Sequence, residues 1–339
     1  MTAADTDTLT ARDARVCWHP FTQAATEPEP LPVQSARGSS LVLDDGTELV
    51  DGISSWWSIL HGHAEPALVE AAVRQMSRLD HVLFAGTTHE PAVALAERLG
   101  RIAPGGAQTR RIESDKGSTA GEGWQKKGEQ TEAQEGPTNG PTCTARGIVM
   151  LADEVKTGFG RTGRLFACEH ADVAPDVLCL AKGLTGGVFP MSVTLTSDAM
   201  YERFWSDEPT RALFHGHTFT AHPVGCAIAL ASLELVLGRD VPARLETIGA
   251  RIYAGLDGVE ERSDVTNLRH VGGMVAFDLP AAEVGYMSGR SRALRRVAAE
   301  HGVLLRPLGN VVYALPPACL TGDECDRVAR AMRAMAETR

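Results

Sequence analysis

Two short apolar runs, each ending in charge, set the frame of this chain. Residues 148–152 are almost purely apolar and end in Asp153-Glu154. Residues 176–181 form a second such run and end in Lys182-Gly183. Runs of this length and composition predict strands buried on both faces of a parallel sheet. Residues 41–50 place Asp45-Gly46 between alternating apolar positions, which predicts a β-hairpin. Helical periodicity predicts an amphipathic helix over 66–79, with Leu68, Ala72, Met76 and Leu79 on one face, and another over 91–99. A third helix is predicted over 223–237, with a proline at its start and an Ala/Leu/Val-rich body.

From about residue 239 the pattern becomes αββαββα. It predicts helices over 243–256 and 291–301, strands over 268–271 and 274–279, and a closing amphipathic helix over 321–337. Residues 303–307 and 311–315 are expected to form a hairpin around Leu308-Gly309-Asn310. The chain therefore reads as α/β, with a larger domain over 51–238 built on a mostly parallel sheet. A small α+β domain is expected from 1–50 and 239–339, the C-terminal part packing with the N-terminal hairpin. Residues 1–15 are polar and read as loose.

One segment breaks the pattern. Of the thirty-five residues 113–147, only Ala120, Trp124, Ala133, Cys143 and Ala145 are apolar, against 43% hydrophobic residues in the whole chain, and seven are glycine. Such a segment buries too little surface to offset its ordering entropy, so 113–147 is expected to be irregular and disordered.

Composition narrows the function. The 339 residues carry 33 basic and 43 acidic side chains, a net charge of −10. That balance argues against nucleic acid or an anionic membrane as partner. The longest apolar stretch, 224–237, contains Ser232 and Glu234 and is too short to span a bilayer. Residues 1–15 contain no apolar core of a secretory signal. Seven dispersed cysteines without a CxxC pair suit reduced thiols in a cytoplasm. His61, His63, His81 and His89 lack ligand-like pairing with acids, so no metal site is expected.

The chemistry sits where the two apolar runs end. Neighbouring parallel strands would deliver Asp153 and Lys182 at their C-terminal ends, the edge where open α/β sheets bind ligands. Either residue alone reads as a charge that ends a strand at solvent. Together, with GFGRTGR between them, they point to pyridoxal phosphate. That cofactor's aldehyde takes a lysine amine covalently, and its ring nitrogen needs a carboxylate to stay protonated. Arg306 stands alone in an apolar run, where its planar fork would match a carboxylate or serve a structural salt bridge.

The stretch ADEVKTGFGRTGRLFACEHADVAPDVLCLAKGLTGG resembles the class III aminotransferases of PLP fold type I. The similarity covers residues 17 to about 104 and 147 to the C-terminus, and is strongest to the branch acting in biotin biosynthesis. It implies that Lys182 and Asp153 are catalytic and hold pyridoxal 5'-phosphate, aided by Gly117, Ser118, His217 and Thr218. Thr218 would reach the cofactor phosphate across a dimer interface, which implies a homodimer. Phe21 of WHPFTQ, Trp56 of SSWW, Arg161, Gly216 and Arg306 are implied as substrate-binding, with Arg306 on the substrate carboxylate. The implied substrates are S-adenosyl-L-methionine and 8-amino-7-oxononanoate. Another class III ω-aminotransferase is the second reading.

Residues 105–146 match the family only in fragments. Members carry a longer block there, with sheet strands and a tyrosine that covers the cofactor ring. This chain has no tyrosine before Tyr201. The missing block implies an incomplete sheet, low stability, weak cofactor binding and feeble transamination, or a pseudoenzyme that serves as an interaction protein.

Overall fold

The computed structural model describes residues 8–105, 110–115, 143, 145–262, 264–280 and 289–338. The chain divides into two compact units, Met1–Ser55 with Ile248–Arg339, and Trp56–Thr247.

The first unit contains two small sheets. Strands β1 (Val33–Arg37), β2 (Ser40–Leu43) and β3 (Glu48–Asp51) run antiparallel in sequence. The expected hairpin is β2–β3, with Leu41 opposite Leu49. Its turn is closed by the Thr47 amide donating to Asp45 Oδ1 at 2.8 Å, and Gly46 supplies a φ of 84° that a side chain would resist. The last strand of this sheet, β10 (Val303–Leu304), lies parallel to β3. The second sheet has the order β11-β9-β8, from Val311–Ala314, Met274–Asp278 and Thr266–Val271.

The expected 303–315 hairpin does not form. β10 pairs with β3 and β11 pairs with β9, leaving one isolated bridge between Leu308 and Val311. Pro307 has no amide hydrogen for a ladder, so the chain leaves the first sheet before it and enters the second after Asn310. The N-terminal region also departs from expectation. Leu9–Val16 forms helix α1, capped by the Thr8 hydroxyl accepting from the Ala11 amide at 3.1 Å. The closing helix Gly322–Ala336 starts with a reciprocal cap. The Thr321 amide donates to Glu324 Oε2 at 2.7 Å, and the Glu324 amide donates to Thr321 Oγ1 at 3.4 Å.

The second unit holds the four-stranded sheet β4-β7-β6-β5, from Arg110–Asp115, Ser192–Ser197, Val177–Leu180 and Leu151–Asp153. β5 and β6 are parallel, and β7 runs antiparallel to β6 and β4. Helices α2 (Pro66–Met76), α3 (Glu90–Ile102) and α4 (Pro223–Gly238) belong to the same unit. α2 packs on α4 through Leu68, Val224 and Ile228, all buried. Met76, expected on the buried face, is 59% exposed, and Ala71 is buried instead. Met76 is the last residue of the helix. Among the described residues no helix is long and apolar enough to cross a membrane.

β6 is buried as expected, and it has a strand on each side. β5 is not. Ile148, Val149 and Leu151 are 53%, 50% and 51% exposed. Only β6 pairs with β5 among the described strands, so the apolar run forms a sheet edge rather than a doubly covered strand. The start of the segment expected to be irregular departs from that expectation. Glu113, Ser114 and Asp115 belong to β4, opposite Thr194, Val193 and Ser192 of β7. Residues 116–142, with Gly117 and Ser118, lie outside the described residues.

An open apolar edge is a template for a second chain. Val149→Lys should therefore lower self-association several-fold at equal concentration, measured by sedimentation velocity. An unchanged distribution of species would place the self-associating surface elsewhere.

Candidate active site

Parallel pairing in the second unit sets Asp153 opposite Cys179, and the next amide, Glu154, donates to the Cys179 carbonyl at 2.9 Å. Lys182 follows two residues beyond the end of β6. The structure therefore brings the carboxylate and the amine to the same ends of two hydrogen-bonded strands. Asp153 is exposed and accepts from the Val155 amide at 3.0 Å, a local bond that turns the chain away from the strand. Lys182 is half-buried. Burial lowers its pKa below the ordinary lysine value, and the charge of Asp153 opposes that shift.

The lysine stands on a strained turn. Its φ is 45°, in the left-handed region, and it opens a 3-10 turn over Lys182–Thr185. The turn is held from outside. Ser232 of α4 donates its hydroxyl to the Gly183 carbonyl at 3.1 Å, and the His61 ring shares a 2.9 Å bond with the same hydroxyl. Gly186 ends the turn at φ 62°, and a Cβ there would lie 2.6 Å from Leu68. Only glycine suits both the conformation and the space.

The segment Ser54–Trp57 is a single left-handed turn. The φ values of Ser54, Ser55, Trp56 and Trp57 are 52°, 44°, 73° and 72°. Four successive residues in this region cost several kcal/mol, roughly 1–2 per residue. Asp51, fully buried, opposes that cost: its carboxylate accepts from the Ile53 amide at 3.3 Å, the Ser55 amide at 2.9 Å and the Ser55 hydroxyl at 2.7 Å. On the far side Arg161 holds the wall. Its buried Nη2 donates to the carbonyls of Trp57 at 3.3 Å and Ile59 at 3.2 Å. Arg161 thus acts on backbone, and the half-buried indole of Trp56 stands beside the residue it fixes.

The remaining candidates divide by unit. Phe21 and Arg306 meet in the first unit, where Arg306 Nη2 donates to the Phe21 carbonyl at 3.4 Å. Arg306 lies beyond β10 and is half-buried, rather than buried within a strand as its apolar neighbours suggest. Phe21 is 61% exposed. Gly216, His217 and Thr218 lie in the second unit, on a loop tied by the His217 amide donating to Thr220 Oγ1 at 2.9 Å. Thr218 and Gly216 are exposed there, beside Phe214 at 82% exposure.

Three residues near the site escaped the sequence reading. Buried Glu154 accepts from the Cys168 amide at 2.7 Å and from the Thr157 hydroxyl, closing the loop after β5. Lys156 places its ammonium 4.4 Å from the Trp57 ring centroid, and Lys182 lies 5.6 Å from the same ring. His61 is buried, and burial, assisted by the Arg239 charge, pushes its pKa from 6.5 down to about 4. The only sequence signal for Lys156 is a cation three residues after the strand-ending acid. A buried histidine gives none.

The donor set suits a cofactor with an aldehyde and a basic ring nitrogen. The amine has its neutral form favoured by burial, and the carboxylate ends the adjacent strand. Comparison with known proteins agrees. The family model for class III aminotransferases matches residues 21–142 and 140–335. The adenosylmethionine-8-amino-7-oxononanoate aminotransferase of Synechococcus elongatus is 36% identical over 405 residues, covering 91% of this chain and 95% of the relative. The fold is similar to the enzyme of the same name from Methanocaldococcus jannaschii, with a TM-score of 0.86, 23% identity and coverage of 98% and 99% of the two chains. It is also similar to an amine transaminase from an uncultivated Pseudomonas species in its PLP-bound form. That match has a TM-score of 0.81 and 23% identity over 94% of this chain and 98% of the other.

His61 makes stability depend on pH. Its folded pKa lies below its unfolded value, so the unfolded chain takes the proton first. The stabilising contribution is complete above pH 6.5 and declines as pH falls towards about 4. Denaturant unfolding should lose about 3 kcal/mol more across that window in the wild type than in His61→Gln. Parallel pH profiles would show that His61 is not buried in its neutral form.

Proposed function

The chain belongs to the class III aminotransferases, and from that premise we propose that it moves an amino group from S-adenosyl-L-methionine to 8-amino-7-oxononanoate, giving 7,8-diaminononanoate in biotin biosynthesis. The observation that carries the chemistry is the pairing of β5 with β6, which sets Asp153 and Lys182 on neighbouring strand ends. The 36% identity to the Synechococcus enzyme favours this substrate pair over that of another ω-aminotransferase.

In this reading pyridoxal phosphate, when bound, withdraws electrons from the substrate carbon that gives up its proton. Asp153 holds the proton on the cofactor's ring nitrogen. Lys182 Nζ would hold the cofactor covalently and, when free, would take and return the substrate proton. Both tasks need the neutral amine, which burial of Lys182 favours. Gly117, Ser118, His217 and Thr218 would hold the phosphate. Exposure of Thr218 and of neighbouring Phe214 suits a homodimer in which the loop reaches the second subunit. Trp56 and Phe21 would line the aliphatic chain of the substrate, and Arg306 would bind its carboxylate. Arg161 would serve by fixing the indole wall. A cytoplasmic location suits the dispersed, free cysteines.

The shortened segment lowers the expected activity, because the tyrosine that covers the ring in relatives has no counterpart before Tyr201. Borohydride reduction with pyridoxal phosphate in excess, followed by peptide mapping, should tag Lys182, and the same preparation should transaminate slowly and bind cofactor weakly. A tag on another lysine would overturn the assignment. Tight binding with full rescue of a biotin-requiring strain would overturn the expectation of impairment.

Arg306→Ala should raise KM for the keto acid by the equivalent of about 2–4 kcal/mol while kcat changes less. An unchanged KM with a lower melting temperature would make Arg306 a structural clamp on the Phe21 carbonyl.

A further inference from the structure

Lys156 sits half-buried on the loop after β5, three residues beyond Asp153. Its Nζ lies 4.4 Å from the Trp57 ring centroid, and Lys182 Nζ lies 5.6 Å from the same centroid. The two amines are therefore no further apart than the sum of those distances, about 10 Å. All three residues belong to the second unit. The pairing of β5 with β6 that brings Asp153 to the Lys182 turn thus brings a second cation there as well.

The face of an indole favours a cation, so Trp57 holds the Lys156 ammonium at this place. The place itself disfavours charge. Burial, then the charges of Lys182 and Arg161, lower the pKa of Lys156. An anion arriving beside the ammonium would offset both the desolvation and the repulsion. We propose that Lys156 binds the carboxylate of the amino donor, so that the site takes α-amino acids, whose carboxylate sits on the carbon bearing the reacting amine. The inference rests on the reading of Lys182 as the amine at which the reaction occurs.

The chemistry of the two substrates separates the roles of the two cations. In an α-amino acid the amine and the carboxylate share one carbon. A donor reacting at Lys182 therefore carries its carboxylate only a few ångströms away, within reach of the flexible stem of Lys156. In 8-amino-7-oxononanoate a run of methylenes separates the carboxylate from the ketone, and that distant anion is the one assigned to Arg306. An amine without a carboxylate has nothing to offer Lys156 and meets its ammonium with a positive charge of its own. Attraction of the right donor and rejection of the wrong one thus come from the same side chain.

The test uses the purified full chain with pyridoxal phosphate in excess. Its two probes carry no amine and differ in the carboxylate: 4-methylthio-2-oxobutanoate and 4-methylthio-2-butanone. Titration calorimetry should show the wild type binding the keto acid roughly tenfold more tightly than the ketone. Lys156→Met should remove most of that preference by weakening the keto acid alone, and Lys156→Arg should retain it. In the wild type, which needs no variant to fold, the keto acid should protect Lys156 from trace acetylation read by peptide mass, and the ketone should not. Absence of a preference or of protection in the wild type, or a preference that survives Lys156→Met, overturns the proposal. Loss of the preference in Arg306→Ala instead would move the α-carboxylate to Arg306 and overturn it too. Failure of the underlying reading looks different: borohydride would then fix pyridoxal phosphate to a lysine other than Lys182.

Discussion

The parallel pairing of β5 with β6 is the constraint on which the rest of the site depends. It fixes Asp153 opposite Cys179 and brings the Lys182 turn to the same strand ends. A slip of one residue would turn Asp153 to the other face of the sheet. The register is pinned at its entry, where the Met150 amide donates to the Asp176 carboxylate at 2.8 Å and the Asp176 and Val177 amides donate to the Met150 carbonyl. It is pinned again at its exit by the bond from Glu154 to Cys179. Between these bonds β5 has only three residues and a single partner strand among those described. The acid of the site therefore stands on the least supported strand of its sheet.

Two left-handed turns carry residues of the candidate site, and each has a named restraint. Lys182 is left-handed and is held by Ser232, His61 and the glycine that ends its turn. The Ser54–Trp57 turn is left-handed throughout and is held by the Asp51 carboxylate at its start and by Arg161 at its end. Unstrained chain would relax these turns and move the amine or the indoles. Buried charged groups spent on backbone geometry are costly unless fully bonded, and Asp51, Glu154 and Arg161 each bond to backbone groups.

The family match breaks where the sequence is anomalous. Its two pieces meet at residues 140–142, within the apolar-poor segment. The alignment with the Synechococcus enzyme runs to 405 residues, more than the 339 of this chain, so the relative carries residues with no counterpart here. The row Ile148, Val149 and Leu151, which follows that segment, has the composition of a covered strand and the exposure of an edge.

Local pattern was enough to determine most elements. The Asp45-Gly46 hairpin, the helices on α2, α3 and α4, and the strand–charge endings at Asp153 and Lys182 all follow from periodicity, turn chemistry and run length, which act over a few residues. The sequence also marked 113–147 as unlike the rest, although its first three residues belong to β4. What it left open depends on groups distant along the chain. Whether 148–152 is covered depends on which strand lies beside it. Whether 303–315 folds back on itself depends on β3 and β9, which lie far away in sequence and take β10 and β11 as partners. Arg161 reads as a substrate ligand by resemblance, yet folding alone brings the carbonyls of Trp57 and Ile59 to its fork. The convergence of Lys156 and Lys182 on one indole joins residues 57, 156 and 182, and no local pattern encodes a contact across such separations.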